Sequence, residues 1–225
     1  MEARPDDAPR ICAVNASPRK KWNTATLLQC ALDGAAAAVP GVQAEMLHLY
    51  DYTYTGCKSC FHCKRLGGRF YGRCALRDDL APVLEKLSQA DAIVFGSPIY
   101  FGDVTGMLRS LEERLLFPYL VYAEDFPSIA PKKIRTGFIY TMNVTAETMN
   151  AWGYPERLKS MEFYVSRIFG GDPMVLYANN TIQFSDYGKY KCEIFSGEEK
   201  VRYREEHFPE DRRKAGEMGA ALISR

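Results

Sequence analysis

The stretch ICAVNASPRKKWNTATLL, residues 11–28, begins as an apolar run and ends as a helix-forming one. The run from Ile11 to Asn15 predicts a buried strand, because it is short, apolar and followed by turn residues. A helix is predicted from Thr24 to Val39, where Pro40-Gly41 ends it. A strand that leads through a short polar loop into a helix is the first half of a βαβ unit, and it therefore predicts a parallel sheet.

The same alternation of strands and helices continues along the rest of the chain. It predicts an α/β fold with a parallel sheet that carries helices on both faces. Five strands fit the doubly wound order 2-1-3-4-5, in which ligands bind at the carboxyl ends of the first and third strands. The further strands are predicted at Val42–Leu49, Ala92–Gly96, Lys133–Met142 and Met174–Ala178, and the further helices at 78–89, Thr105–Leu116, Glu156–Phe169 and Pro209–Leu222.

The composition is that of one soluble globular domain spanning 1–225, with 47% hydrophobic and 25% charged residues. A net charge of +1 gives no electrostatic reason to expect binding to nucleic acid or to an anionic membrane. The opening MEARPDDAPR has no apolar signal-peptide core, and no run approaches the roughly 20 apolar residues that span a bilayer. We therefore expect a cytoplasmic protein.

The loop after the first strand, SPRKKWNT, has the composition of a site for a terminal phosphate. Ser17, Asn23 and Thr24 can donate hydrogen bonds, Arg19 adds a positive charge, and the helix that follows offers free backbone amides. The loop lacks both the GxxxxGK[ST] and the GxGxxG patterns, which argues against a P-loop nucleotidase and a dinucleotide fingerprint. The alternative is a plain helix start with Asn23 or Thr24 as its N-cap.

Residues 50–77 form an inserted loop that is too long for an ordinary connection and holds four of the seven cysteines, Cys57, Cys60, Cys63 and Cys74. The tight C-x2-C-x2-C spacing and the flanking lysines and arginines suit an iron–sulfur cluster. Two alternatives stay open. The cysteines could be free or disulfide-forming thiols, or they could bind zinc, whose ligands more often form two separated pairs.

These motifs together resemble the NADPH-dependent FMN reductases, which have the flavodoxin-like fold. The resemblance rests on the stretch at 11–28 and on DAIVFGSPIYFGDVTGMLRSLEERL at 91–115. The CxxCxxC…C…DD pattern is similar to the branch that contains iron–sulfur flavoproteins, although ten residues separate Cys63 from Cys74 here, more than in that branch.

The resemblance implies a role in flavin binding for three loops. Ser17, Arg19, Asn23 and Thr24 would hold the FMN phosphate. The isoalloxazine edge would lie against Pro98, Ile99, Tyr100 and Phe101, with Thr141, Met142 and Asn143 on its other side. Cys57, Cys60, Cys63 and Cys74 would be the ligands of a [4Fe–4S] cluster.

The function implied is that of an FMN-dependent oxidoreductase that takes electrons from NAD(P)H or from a small electron carrier. With a cluster it would be an electron-transfer flavoprotein, and without one a flavin reductase. A non-enzymatic redox or metal-binding module is the alternative. The apolar run Leu115 to Tyr122 is expected to be partly exposed and covered by another subunit in a homodimer or homotetramer, and the Glu112 to Arg114 segment is expected at a surface or subunit contact.

Overall fold

The computed structural model describes residues 8–224. Residues 1–7 and Arg225 lie outside it, and so does most of the segment on which the prediction about a signal peptide rests. Five parallel strands form one sheet in the order β2-β1-β3-β4-β5, which confirms the predicted doubly wound α/β fold. That residues 1–225 make a single domain stays a prediction. The strands are β1 (Arg10–Asn15), β2 (Gln43–His48), β3 (Ala92–Pro98), β4 (Arg135–Thr141) and β5 (Met174–Ala178).

Helices cover both faces of this sheet, because its central strands are apolar on both sides. In β1 the side chains of Cys12 and Val14 face one core, while those of Ile11 and Ala13 face the other. Helices α1 and α6 pack on the second face, and α2, α3 and α5 on the first. The helices are α1 (Asn23–Ala38), α2 (Leu80–Ser88), α3 (Gly106–Leu116), α4 (Ala146–Ala151), α5 (Tyr154–Phe169) and α6 (Gly197–Ile223). None of the helices within residues 8–224 is long and apolar enough to cross a membrane.

The last helix differs from its sequence-based prediction, which began it at Pro209. It starts at Gly197, where the Ser196 side chain accepts a hydrogen bond from the Glu199 backbone, and Pro209 lies inside it. Proline is favoured at the first turn of a helix because its missing N–H has no partner there. Here the packing of α6 against α1 outweighs the hydrogen bond that the proline removes.

That packing brings two backbones into direct contact at glycines. A Cβ on Gly219 would lie 1.8 Å from the backbone oxygen of Ala31, and one on Gly34 would lie 2.0 Å from that of Gly216. Neither neighbour can give way, because both atoms belong to helix backbones. The absence of side chains at these positions therefore sets how closely α1 and α6 approach.

We expect Gly219→Ala to destabilise the protein by about 1–3 kcal/mol, since the added methyl group must push the helices apart. The matched control is Gly216→Ala on the same helix, whose Cβ would meet no atom closer than 3.5 Å. The control should gain about 0.5–1 kcal/mol from helix propensity. Urea unfolding measures both, and equal effects for the two variants would contradict this account of the contact.

Candidate functional site

The carboxyl ends of β1, β3 and β4 border one cavity of about 110 Å³, which we call the β1–β3 cavity. Ten of the eleven residues predicted to contact a flavin line it, although they come from three separate loops. The residues that line the cavity are Ser17, Arg19, Trp22, Asn23, Thr24, Pro98, Ile99, Tyr100, Thr141, Met142, Asn143, Thr181, Ile182 and Gln183.

Phe101 is the predicted residue that does not line the cavity. Its side chain is fully exposed, and its backbone has a φ of 55°, a left-handed conformation that a bulky residue rarely adopts. The backbone amides of Ile99 and Tyr100 donate to the oxygens of Thr141 and Asp103. These two amides are therefore engaged within the protein rather than free for a ligand.

The loop after β1 is shaped by hydrogen bonds from side chains to its own backbone. The Asn15 side-chain oxygen accepts from the Ser17 amide at 3.0 Å, and the Ser17 hydroxyl accepts from the Arg19 amide at 3.2 Å. The Thr24 and Thr141 hydroxyls lie 2.7 Å apart in the buried floor and link this loop to β4. Helix α1 begins at Asn23 without a side-chain cap, so the alternative reading of Asn23 or Thr24 as an N-cap is wrong.

A segment from far along the chain, Thr181 to Gln183, covers the predicted phosphate loop. The Asn23 amide donates to the Ile182 backbone oxygen at 2.8 Å, and the Trp22 indole donates to the same oxygen at 3.0 Å. The Arg19 guanidinium donates to the Gln183 backbone oxygen at 2.5 Å. Two of the four residues predicted to hold a phosphate, Arg19 and Asn23, thus donate to backbone carbonyl groups of this segment. No pattern in the sequence distinguishes the segment or Trp22.

A buried oxygen without a hydrogen-bond partner and a buried ammonium group lie close together beside this cavity. The side-chain oxygen of Asn143 is buried without a hydrogen-bond partner. Lys200, from α6, is 3% exposed and donates to the Asn143 backbone oxygen and to the Asn180 side chain. Burial lowers the pKa of Lys200 to about 8. An orphaned acceptor beside a buried ammonium suits a ligand that supplies a hydrogen-bond donor, as the polar edge of a flavin does.

The four cysteines of the inserted loop line a second cavity of about 20 Å³, the cysteine cavity, together with side chains of α3. Cys63 is buried and Cys57 and Cys60 are exposed, and all are free thiols. Within residues 8–224, no group of three or more His, Cys, Asp or Glu has the arrangement that holds a metal ion. The donor set thus suits an iron–sulfur cluster, whereas the positions of the thiols do not fit one.

A buried arginine fastens this loop to α3. The Arg114 guanidinium, which is 2% exposed, donates to both carboxylate oxygens of Asp78, at 2.5 and 2.8 Å. It also donates to the Thr55 backbone oxygen at 3.0 Å and approaches the Cys74 sulfur at 3.4 Å. The Arg114 hydrogen bonds lower the pKa of Asp78. The Asp78 carboxylate also accepts a hydrogen bond from the Leu80 amide at 3.2 Å, in the first turn of α2.

Comparison with known proteins identifies the family of this chain. The model of the NADPH-dependent FMN reductases matches residues 9–124, more than half of the chain. The chain belongs to this family. The resemblance in its sequence motifs is thereby confirmed, and the match covers the β1–β3 loops and the cysteine loop.

Curated relatives support the branch as well as the family. An iron-sulfur flavoprotein from Archaeoglobus fulgidus is 41% identical over 105 residues, 47% of this chain and 48% of that protein. An iron-sulfur flavoprotein from Methanocaldococcus jannaschii is 35% identical over 105 residues, 47% of this chain and 51% of that protein. The chain thus spans about half the length of the curated relatives it matches.

Solved structures of low identity share the fold over nearly the whole chain. An NAD(P)H:quinone oxidoreductase from Methanothermobacter marburgensis superposes with a TM-score of 0.68 at 16% identity, covering 97% of this chain and 98% of the other. An FMN-dependent NADH-azoreductase from Bacillus anthracis, in complex with FMN, has a TM-score of 0.67 at 13% identity, covering 96% and 100%. Both confirm the flavodoxin-like fold.

A carboxyl group on α3 is buried more completely than the sequence indicated. Glu112 is 0% exposed and neither of its oxygens has a hydrogen-bond partner, so the expected surface position of Glu112 and Arg114 is wrong. Desolvation raises the pKa of Glu112 to about 8, and Asp103 adds to the rise while Arg109 opposes it. Burial raises the pKa of Tyr140 well above its usual value, and the charges of Glu162 and then Glu112 add to the rise.

The burial of Glu112 predicts how stability changes with pH. Since its pKa is raised from 4.5 to about 8 on folding, the folded state holds a proton there that the unfolded state releases. Stability from this group is therefore greatest below pH about 4.5 and is lost as the pH rises towards 8. We expect Glu112→Gln, a neutral isostere, to gain little relative to the wild type at pH 4.5 and an amount that rises to about 5 kcal/mol at pH 8.

Urea unfolding of both proteins at several pH values from 5 to 8 measures this difference, and the comparison cancels the titration of all other groups. A difference in unfolding free energy that stays constant with pH would show that Glu112 is not buried as a neutral acid.

Proposed function

We propose that this protein is an FMN-dependent oxidoreductase that uses NAD(P)H, with its flavin in the β1–β3 cavity. The observation that carries the proposal is the orphaned Asn143 side-chain oxygen in a cavity lined by ten residues of the family's flavin loops. Membership of the NADPH-dependent FMN reductase family supports the choice of cofactor and electron donor.

The side chains that line the β1–β3 cavity include hydrogen-bond donors and a cation, which are the chemical groups that bind the phosphate of FMN. Ser17, Arg19, Asn23 and Thr24 would hold the phosphate at the start of α1, where the helix dipole favours an anion. Arg19 donates to the carbonyl of Gln183 and Asn23 to that of Ile182, and both exchange these partners for phosphate oxygens when FMN binds. A cavity of 110 Å³ is smaller than the usual cofactor site, so the 181–183 segment gives way.

The cofactor supplies the chemistry when bound, since FMN accepts a hydride from a reduced nicotinamide and passes electrons on to an acceptor. The protein's own groups bind and orient it. Asn143 offers an acceptor, and the buried Lys200 ammonium places a positive charge behind the Asn143 backbone, which favours an electron-rich ring at that rim. We propose a small molecule or a small carrier protein as the electron-transfer partner.

We expect Arg19→Ala to weaken FMN binding by about tenfold, the value of one charge-assisted hydrogen bond to a phosphate. Lys21→Ala is the matched control, because Lys21 is an exposed cation of the same loop that does not line the cavity. Quenching of FMN fluorescence during titration measures both dissociation constants. Equal losses in the two variants would mean that only general charge matters, and the phosphate position proposed here would be wrong.

Reduction by NADPH under anaerobic conditions separates the enzyme from the alternative module. Bleaching of the bound flavin on addition of NADPH, or of NADH, supports the oxidoreductase. Protein that binds no FMN but holds metal through its thiols supports the non-enzymatic module instead.

Electron transfer through an iron–sulfur cluster is a second candidate function. Four thiols on one cavity favour it, as does the name of the curated relatives. Cys57, Cys60, Cys63 and Cys74 would be the ligands of a [4Fe–4S] cluster, and a cluster supplies one-electron transfer when present. The thiols must then move closer together than the structure has them.

We expect Cys60→Ala to abolish bound iron and leave FMN affinity unchanged, because the two cavities have no lining residue in common. Cys192→Ala, outside both cavities, is the control and should retain its iron. Iron analysis and absorption spectra of anaerobically purified protein are the measurements. Wild-type protein that contains no iron after strict anaerobic handling would exclude the cluster and leave the thiols free.

We further propose a cytoplasmic homodimer or homotetramer. An odd number of cysteines suits a reducing compartment. Four of the eight residues in the run Leu115 to Tyr122 are buried in their own chain and three are half-buried, which leaves Tyr122, 63% exposed, for a subunit contact.

A further inference from the structure

We propose that a third cavity, between α3 and α5, binds a small aromatic molecule that carries a phenolic or carbonyl oxygen, with that oxygen at Glu112. We call it the α3–α5 cavity. It shares no lining residue with the β1–β3 cavity. The inference does not depend on flavin binding, although Cys57 of the cysteine loop lines this cavity as well.

The size and walls of this cavity suit an aromatic ring. Its volume is about 420 Å³, within the range of small-molecule sites. Aliphatic and aromatic side chains form most of its surface, and a planar ring packs well against such walls. They are Leu116, Phe117, Leu120, Met161, Tyr164 and Ile168.

Four polar side chains, those of Ser59, Arg109, Glu112 and Glu113, belong to residues that line the cavity, and Glu112 is the fully buried one. Both oxygens of Glu112 are buried without a hydrogen-bond partner, and the nearest cation, the Arg109 Nη1, stands 3.9 Å from Oε2. Arg109 is itself held by Asp103 at 2.6 Å. A buried polar group without partners is rare in folded proteins and calls for an explanation. A ligand oxygen supplies the missing partner once the Glu112 side chain, which is 0% exposed, turns towards the cavity.

The protonation state of Glu112 narrows the chemistry of that ligand. Because burial raises its pKa to about 8, the carboxyl is largely neutral at pH 7 and offers one donor and one acceptor. A phenol matches both groups, a carbonyl accepts from the carboxyl donor, and neither brings a charge into an apolar site. A carboxylate or phosphate ligand carries a charge, which loses its hydration there.

A water molecule is a poorer occupant of this cavity than an aromatic compound. An ordered buried water needs two to four polar partners, and beyond Glu112 the surrounding walls are mostly apolar. The cavity also reaches Cys57, whose amide donates to Glu113 at 2.9 Å, so a bound molecule lies beside the cysteine loop.

Binding of naphthol, compared with methylnaphthalene, tests the proposal, because the two probes have similar shapes and only the first carries an oxygen. Calorimetry on the purified full chain should show naphthol binding about tenfold more tightly, the value of one hydrogen bond. Glu112→Leu should remove this preference without abolishing binding of the hydrocarbon.

Two tryptophan variants show where the probe binds. Leu120→Trp fills the cavity and should weaken both probes at least tenfold, whereas Val201→Trp adds the same ring to an exposed position on α6 and should change nothing. Thermal unfolding checks that each variant is folded.

Failure of both probes to bind, or equal affinity of the wild type for both, would overturn the proposal. The proposal would also be wrong if the wild type is a dimer that binds neither probe and the Leu120→Trp variant is a monomer. A second copy of the chain would then fill the cavity.

Discussion

The buried guanidinium of Arg114 links α3 to segments of the chain that lie outside the sheet. A cation without solvent is stable only when its hydrogen bonds are satisfied, and removing one partner of such a pair costs about 3–5 kcal/mol. Its partners are Asp78 just before α2, Thr55 before the cysteines and Cys74, the last of the four. The long 50–77 loop is thereby fixed at both ends to one helix.

That helix also reaches the other cavity. Thr105 caps α3, and its hydroxyl donates to the backbone oxygen of Ala16 at 3.0 Å, next to the phosphate loop. Its amide donates to the Ser97 hydroxyl near the end of β3. Helix α3 is therefore hydrogen-bonded to the ends of β1 and β3 at its start and to the cysteine loop near its own end.

Glu112 and Arg114 lie two residues apart on α3 and differ in how their charge is accommodated. Arg114 has a carboxylate, a carbonyl and a thiol around it, while Glu112 has no hydrogen-bond partner within the described residues. A satisfied buried charge serves the structure, because its energy is recovered in the fold. A buried polar group without hydrogen-bond partners lowers stability, and such a group persists where a function requires it.

The sequence by itself determined the strand order and the loops that meet at the β1–β3 cavity, because short-range apolar patterns decide both and parallel strands bring their carboxyl ends to one edge. Only the tertiary structure decided that the 181–183 segment covers Arg19 and Asn23, that Lys200 lies behind Asn143, and that α6 starts at Gly197. These contacts join residues up to 164 positions apart. Local composition does not encode them, since burial and hydrogen bonding across such a separation depend on how the helices pack on the finished sheet.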